Sequence, residues 1–194
     1  PKSRIFGMSI VLVEGKTLFI SDTTVHDNPT AEELADIACQ TALAAKKLGH
    51  TPRVAMLSFA NFGNPALSGS ERVHAAIEVL NSRKVDFEYD GEMSVDVALD
   101  ANLLSHYPFC RLSQPANILI MPGLHSANIA SKLVGEVGAG KTIGPLLMGL
   151  NASAQIVRVG ANVTEIVTLA LFAAYNSDKK GNQSKNKRNP SLAS

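Results

Sequence analysis

Residues 140–167 read GKTIGPLLMGLNASAQIVRVGANVTEIV. Two short apolar runs, Ile143 to Leu150 and Gln155 to Val159, are each closed by turn residues, and a helix opens after Asn162. Runs of that length between Gly, Asn and Ser read as buried strands, and strand, polar loop and helix in succession is the pattern of a layered α/β protein. In such proteins ligands gather where the carboxyl end of a strand opens into a helix, because free N–H groups and the positive end of the helix dipole meet there. The stretch therefore suggests both a fold class and the first place to look for a site.

Upstream of it the same alternation continues. Arg4 to Val13 and Lys16 to Ile20 are β-rich runs joined by Glu14-Gly15, which reads as a hairpin at a sheet edge. Asp22 to Asn28 is a polar connection carrying His26, and Thr30-Ala-Glu-Glu33 is a capping box. Leu34, Ile37, Ala38, Thr41, Ala45 and Leu48 follow at helical spacing until Gly49. Arg53 to Phe59 is an apolar strand that leaves through a loop rich in Gly, Asn and Pro. Ser70 then opens a helix to about Ser82 with Val73, Ile77 and Leu80 inside and His74 beside that face. Val85 to Tyr89 is a short strand, and Ser94 caps a helix containing Val97, Ala101 and Leu104. Ala116 to Met121 is the most buried-looking strand, followed by a polar turn and a helix from Ala127 to about Val137, with Ser126 as its cap. A helix from Val163 to Tyr175 completes the body.

This order predicts an α/β domain with a parallel-dominated mixed sheet, helices on both faces and the early hairpin as an antiparallel edge. The 194 residues, 45% of them hydrophobic, suit one ordinary domain, taken here as 1–176. Beyond it, residues 177–194 carry five basic residues against Asp178, which leaves the body at about −3 within a net charge of +1. With no aromatic side chain, that tail reads as a solvated, disordered terminus, and nucleic-acid binding is not indicated. No apolar run approaches the ~18 residues of a transmembrane helix. The chain starts Pro1-Lys2-Ser3 without a signal-peptide pattern, which predicts a piece of a longer polypeptide. Cys39 and Cys110 make neither a disulfide framework nor a metal cluster, and a reduced, cytoplasmic setting is expected. The acids Asp86, Glu88, Asp90, Glu92, Asp96 and Asp100 are spread over a strand, a turn and a helix and read as a solvated face, so no metal site is expected.

Three loops at strand ends offer donors: Asn61 to Asn64, Gly123 to Asn128 and Arg158 to Asn162. With Lys141 and Arg158 as cations, they make Asn61, Phe62, Asn64, Ser126, Asn128, Lys141, Arg158 and Asn162 the candidate contacts for a phosphate-bearing ligand. Neither the dinucleotide nor the P-loop glycine signature is present. Gly135, Gly138 and Gly140 follow a helix and read as its stop. Glu165 is a possible base, yet Asn162-Val-Thr-Glu165 also fits a capping box, the reading favoured here.

The assembled segments resemble the phosphotransacetylase family: PTAEELADIA at 29–38, RVAMLSF at 53–59, GPLLMGL at 144–150 and EIVTLALFAA at 165–174. The likeness runs from about Arg4 to Tyr175 and covers the later, larger part of a phosphotransacetylase unit. It implies an isocitrate-dehydrogenase-like α/β fold, a dimer or higher homo-oligomer, and handling of acetyl groups between coenzyme A and phosphate. More specifically, Ser58-Phe-Ala-Asn-Phe-Gly63, Asn117-Ile-Leu-Ile-Met-Pro122 and Ala127-Asn-Ile129 resemble segments of the phosphotransacetylase-like C-terminal region of hybrid NADP-dependent malic enzymes. Where acetyl-transferring members carry Ser-Thr and Asp, this chain has Asn61-Phe62 and Gly123.

Those members also have a Ser-Arg pair before the last helix and an Asp before Ile-Val that serves as base. Glu165 falls under that Asp, while Arg158 and Val159 fall under Ser and Arg. A one-residue shift places Arg158 under the Arg and Val157 under the Ser. Either way, the group that supports the tetrahedral transition state is missing. The resemblance thus implies an acetyl-CoA-binding regulatory region with a degenerate base position at Glu165. NADP and a divalent metal are expected only in an upstream malic-enzyme domain, and neither membrane nor nucleic acid is an expected partner. A working phosphate acetyltransferase and a ligand-free dimerisation module remain the alternatives.

Overall fold

The computed structural model describes residues 4–65, 69–138, 140–152 and 154–186. They group into two compact units, Pro1–Gly149 and Leu150–Ser194, each treated by itself.

The first unit is built on six strands: β1 Phe6–Val13, β2 Lys16–Ser21, β3 Arg53–Leu57, β4 Glu88–Met93, β5 Ile118–Ile120 and β6 Lys141–Met148. Their order is β4-β3-β5-β2-β1-β6; β2, β5, β3 and β4 are parallel neighbours, and β1 is antiparallel to both β2 and β6. The predicted mixed sheet is therefore present. Its hairpin turns at Glu14 and Gly15, whose φ angles of 48° and 74° give the tight turn that a twisted pair of strands prefers. The hairpin lies one strand in from the edge, because β6 pairs with the outer side of β1.

Helices α1 Ala31–Lys47 and α2 Glu71–Arg83 pack together on one face. Thr41 of α1 donates to Ser21 Oγ at 3.0 Å, and the Phe19 ring stands edge-on to His50, so alternate residues of β2 meet this layer. On the other face lie α3 Val95–Leu99, α4 Ala101–Leu104 and α5 Leu124–Val137. There Val11, Ile20, Ala55, Leu57, Met93, Val97, Ala98, Leu104 and Leu119 form one buried cluster with Val134 against it. The capping box of α1 forms as read: Thr30 Oγ1 accepts the Glu33 N–H at 3.3 Å and the Glu33 carboxylate accepts the Thr30 N–H at 2.8 Å.

Several boundaries differ from the expectations. Ser94 precedes α3 without a side-chain cap bond, and Asp100 interrupts the predicted single helix by accepting the Asn102 N–H at 2.7 Å to start α4. Of the acids read as a solvated face, Asp90 and Glu92 are buried, because β4 is shifted along the sequence and runs Glu88–Met93. In the second unit, Gln155 to Val159 form no strand: the next regular element after β6 is the helix α6 Val163–Asn186. That helix runs past Tyr175 and takes in residues 177–186 of the predicted disordered tail; residues 187–194 lie outside the described residues.

Candidate functional site

After β3 the chain crosses through α2 on one face of the sheet, and after β5 it crosses through α5 on the other. The neighbouring carboxyl ends of β3 and β5 are thus a topological switch point, where diverging connections leave a crevice. The loop after β2 borders it from the far side of β5.

In the loop after β3, Asn61 and Asn64 exchange both backbone hydrogen bonds, at 2.9 and 3.1 Å, around Phe62 (φ 51°) and Gly63 (φ 86°). The turn is held from β4: Phe62 N–H donates to the Glu92 carbonyl at 2.7 Å and Gly63 N–H to Glu92 Oε1 at 2.8 Å. Asn61 Oδ1 accepts from the Ser94 N–H at 2.8 Å and its hydroxyl at 3.1 Å. The Phe62 ring packs on Tyr107 and Phe109 with centroids 5.1 and 5.0 Å away. Asn61 and Phe62 therefore shape the rim of the crevice with groups already engaged, while Asn64 is exposed.

The loop after β2 is organised by Asp22, a buried carboxylate. Its Oδ1 accepts the N–H groups of Gly7, Thr24 and Val25 at 2.7, 2.9 and 3.1 Å, and Oδ2 accepts the His26 N–H at 2.9 Å with His26 Nδ1 at 2.6 Å. The Leu124 N–H reaches the carbonyls of His26 and Asp27. Gly123 permits that approach, since a Cβ there would stand 2.7 Å from the Asp27 oxygen. Helix α5 starts three residues before the predicted Ala127, with Gly123 as its N-cap. Ser126 is therefore no cap: inside the first turn it donates back to the Gly123 carbonyl at 2.8 Å. Asn128 Nδ2 donates to the Thr23 carbonyl at 3.3 Å.

One side chain joins these parts. From the first turn of α2, Arg72 donates through Nη1 to Asn28 Oδ1 and through Nη2 to the Pro122 carbonyl at 2.9 Å, linking the helix after β3 to the loops after β2 and β5. Sequence reading missed Arg72, Asp22 and Glu92. A signal for Arg72 existed: a cation in the first turn of a helix opposes the dipole and asks for another reason to be there.

Lys141 is not part of this edge. It opens β6 and pairs with Leu12 beside the hairpin turn, whereas β6 reaches the edge of Asp22 and Arg72 through Met148, roughly 20 Å along the strand at about 3.3 Å per residue. In the second unit, Glu165 Oε2 accepts the Asn162 N–H at 2.9 Å, Asn162 Oδ1 accepts the Glu165 N–H at 3.0 Å, and Arg158 Nη2 donates to Glu165 Oε1 at 2.6 Å. The capping box thus forms, with Arg158 added to it.

Among the described residues no three His, Cys, Asp or Glu side chains converge as a metal ion requires, and no helix is long and apolar enough to cross a membrane. A cavity of about 310 Å³ lined by Cys39, Leu43, Lys46, Lys84, Val85, Asp86 and Phe87 contains none of the candidate ligand contacts.

The mixed α/β fold is shared with known proteins. The phosphate acetyl/butaryl transferase model matches residues 2–174, and the chain belongs to that family. It is 53% identical over 177 residues to an NADP-dependent malic enzyme of Rhizobium meliloti, covering 91% of this chain and 23% of that protein. It is 34% identical to a phosphate acetyltransferase of Clostridium acetobutylicum over 86% of this chain and 50% of that protein. A phosphotransacetylase from Streptococcus pyogenes superposes with a TM-score of 0.85 at 30% identity, covering 92% of this chain and 55% of that one. The chain thus spans about a quarter of the length of that malic enzyme and about half that of these two transferases.

Proposed function

We propose that this chain is the regulatory, acetyl-CoA-binding region of an NADP-dependent malic enzyme, in which an upstream domain converts malate to pyruvate. The region itself transfers no acetyl group. What carries the reading is the similarity at 53% identity over 91% of the chain to a malic enzyme of which it spans only 23%. The second support is chemical: Glu165 stands at the base position implied by the family resemblance, and both its oxygens already hold Arg158 and the Asn162 N–H. The chain offers Arg158-Val159 where the resemblance asks for Ser-Arg, so the support for a tetrahedral transition state is gone, whereas binding alone requires no such pair.

On this reading NADP and a divalent metal serve the upstream domain, the assembly is a cytoplasmic homo-oligomer, and acetyl-CoA lowers malate affinity. Coupling of this kind is reciprocal, so malate weakens acetyl-CoA binding by the same factor. Titrating the full-length enzyme with acetyl-CoA while following malate-dependent NADPH formation tests it. Unchanged malate kinetics overturn the reading.

A second reading, an active phosphate acetyltransferase, is favoured by the similarity to the Clostridium acetobutylicum enzyme. Acetyl-CoA formation from acetyl phosphate by this chain decides between them.

A further inference from the structure

We infer that Arg72 is an anion subsite that takes a phosphoryl group of the bound ligand at the switch-point crevice. The inference rests on the effector reading above for the ligand's identity, and on the following geometry for the site.

Arg4, Arg83, Arg111 and Arg158 each pair with a carboxylate, as structural arginines do. Arg53 and Arg72 pair with none among the described residues; Arg53, at the amino end of β3, donates through Nε to the Pro115 carbonyl at 2.8 Å. The Arg72 guanidinium is instead held by two neutral acceptors, Asn28 Oδ1 and the Pro122 carbonyl, and its Nε is buried with no hydrogen-bond partner. A guanidinium has five N–H donors, so this one is oriented by two contacts and keeps donors and an uncompensated charge. Leaving the Nε donor buried and unpaired is costly, and the donors a ligand can reach are the remaining Nη hydrogens of this partly exposed side chain.

The surrounding charges do not neutralise it. Asp22, the buried acid of the loop after β2, is saturated by four N–H groups and His26. Asp27 is exposed and lies 3.5 Å from His125 Nε2. Two helices also begin here without a side-chain cap bond, α2 after Ser70 and α5 after Gly123. Their first turns add positive potential to the guanidinium. A planar fork beside two helix starts suits the oxygens of a phosphate or diphosphate.

The test measures coenzyme A, pantetheine (which has no phosphate) and inorganic pyrophosphate against the whole 194-residue chain by calorimetry. It compares the wild type, Arg72→Gln and Asn28→Ala, the last of which cuts one tie and keeps the charge. Loss of a charge-assisted contact predicts coenzyme A binding weaker by about tenfold or more in R72Q. Pantetheine binding stays unchanged, and N28A, which keeps the charge but loses one of the two ties that orient it, weakens coenzyme A binding less than R72Q does. Should R72Q fail to fold, the Arg72 Nε–H resonance of the wild-type chain still reports directly, and it shifts on adding pyrophosphate.

Equal coenzyme A affinity in R72Q, or a pyrophosphate titration that leaves the Arg72 resonance unmoved, overturns the subsite and leaves the effector reading standing. Absence of coenzyme A binding together with an Arg72 shift on pyrophosphate does the reverse: the effector reading falls and the anion subsite stands.

Discussion

Arg158 Nη2 donates to Glu165 Oε1 at 2.6 Å, across the turn that opens the last helix. The same carboxylate accepts the Asn162 N–H through Oε2 at 2.9 Å. Each oxygen of this carboxylate makes a bond at the start of α6, which on the non-catalytic reading is its whole task. Replacing Glu165 by Gln is therefore expected to cost stability rather than activity. The loss is about 1 kcal/mol or less, because Gln also serves a capping box and the ion pair is partly exposed. Chemical denaturation measures the loss, and an acetyl phosphate assay should read zero for both proteins. Turnover by the wild type that E165Q abolishes would restore Glu165 as a base.

At the edge of the sheet, Glu92 is buried, and its Oε1 is the acceptor for the Gly63 N–H, while Oε2 faces His74 Nδ1 at 3.5 Å. Glu92→Ala leaves that N–H unsatisfied and is expected to destabilise the first unit by about 1–3 kcal/mol, with Glu92→Gln losing less. Urea unfolding of the two variants distinguishes the effect of the lost acceptor from that of the lost charge.

Next to it, Gly91 has φ 145°, and a Cβ there would stand 2.5 Å from the Met56 carbonyl of the adjoining strand. Gly91→Ala should destabilise by about 2–3 kcal/mol through strain and collision. A melting temperature within a degree of wild type would contradict this close approach.

The capping box of α1 has a definite pH signature. Glu33 titrates below its ordinary value of 4.5, chiefly because it accepts the Thr30 N–H; partial burial opposes the shift and the charge of Arg4 adds to it. A lowered folded-state pKa means the contribution is complete above about 4.5 and is lost as pH falls through the lower folded value. Thr30→Ala should cost about 1 kcal/mol at neutral pH. Glu33→Gln should flatten part of the acid limb of the stability curve, as read by denaturation at stepped pH.

Neither cysteine is built as a nucleophile. Burial pushes the Cys110 thiol up to about 11 and raises that of Cys39 as well. Both stay protonated at neutral pH, so iodoacetamide should modify them far more slowly than free cysteine, whose pKa is about 8.5. Rapid alkylation of the native chain at pH 7.5 would show that one of them is activated.

Much of the architecture could be read along the chain. The Glu14-Gly15 turn, the Thr30 to Glu33 box and the spacing of Leu34, Ile37, Ala38 and Thr41 act within a few residues of themselves, and all appear where expected. The Asn162 to Glu165 box is local in the same sense. Gln155 to Val159 form no strand, because a short apolar run becomes one only when a neighbouring strand completes its ladder. Ser126 failed because Gly123, three residues earlier, allows α5 to start against the Asp27 carbonyl, a contact that residue types alone do not announce.

The candidate site was only half legible. Asn61, Phe62, Asn64, Ser126 and Asn128 were found as loop residues at strand ends, and the fold does bring them to one edge. Lys141 was placed with them by its charge, yet strand direction puts it at the opposite end of β6. Arg72 was overlooked, since its partners Asn28 and Pro122 lie 44 and 50 residues away. By itself the sequence determined most of the elements, the α/β class and the family, because hydrophobic period, caps and turns are properties of neighbouring residues. Only the tertiary structure decided which loops share an edge, which acids are buried and which of the described arginines are left without a carboxylate. Those outcomes depend on strand order and on contacts between residues far apart in the chain.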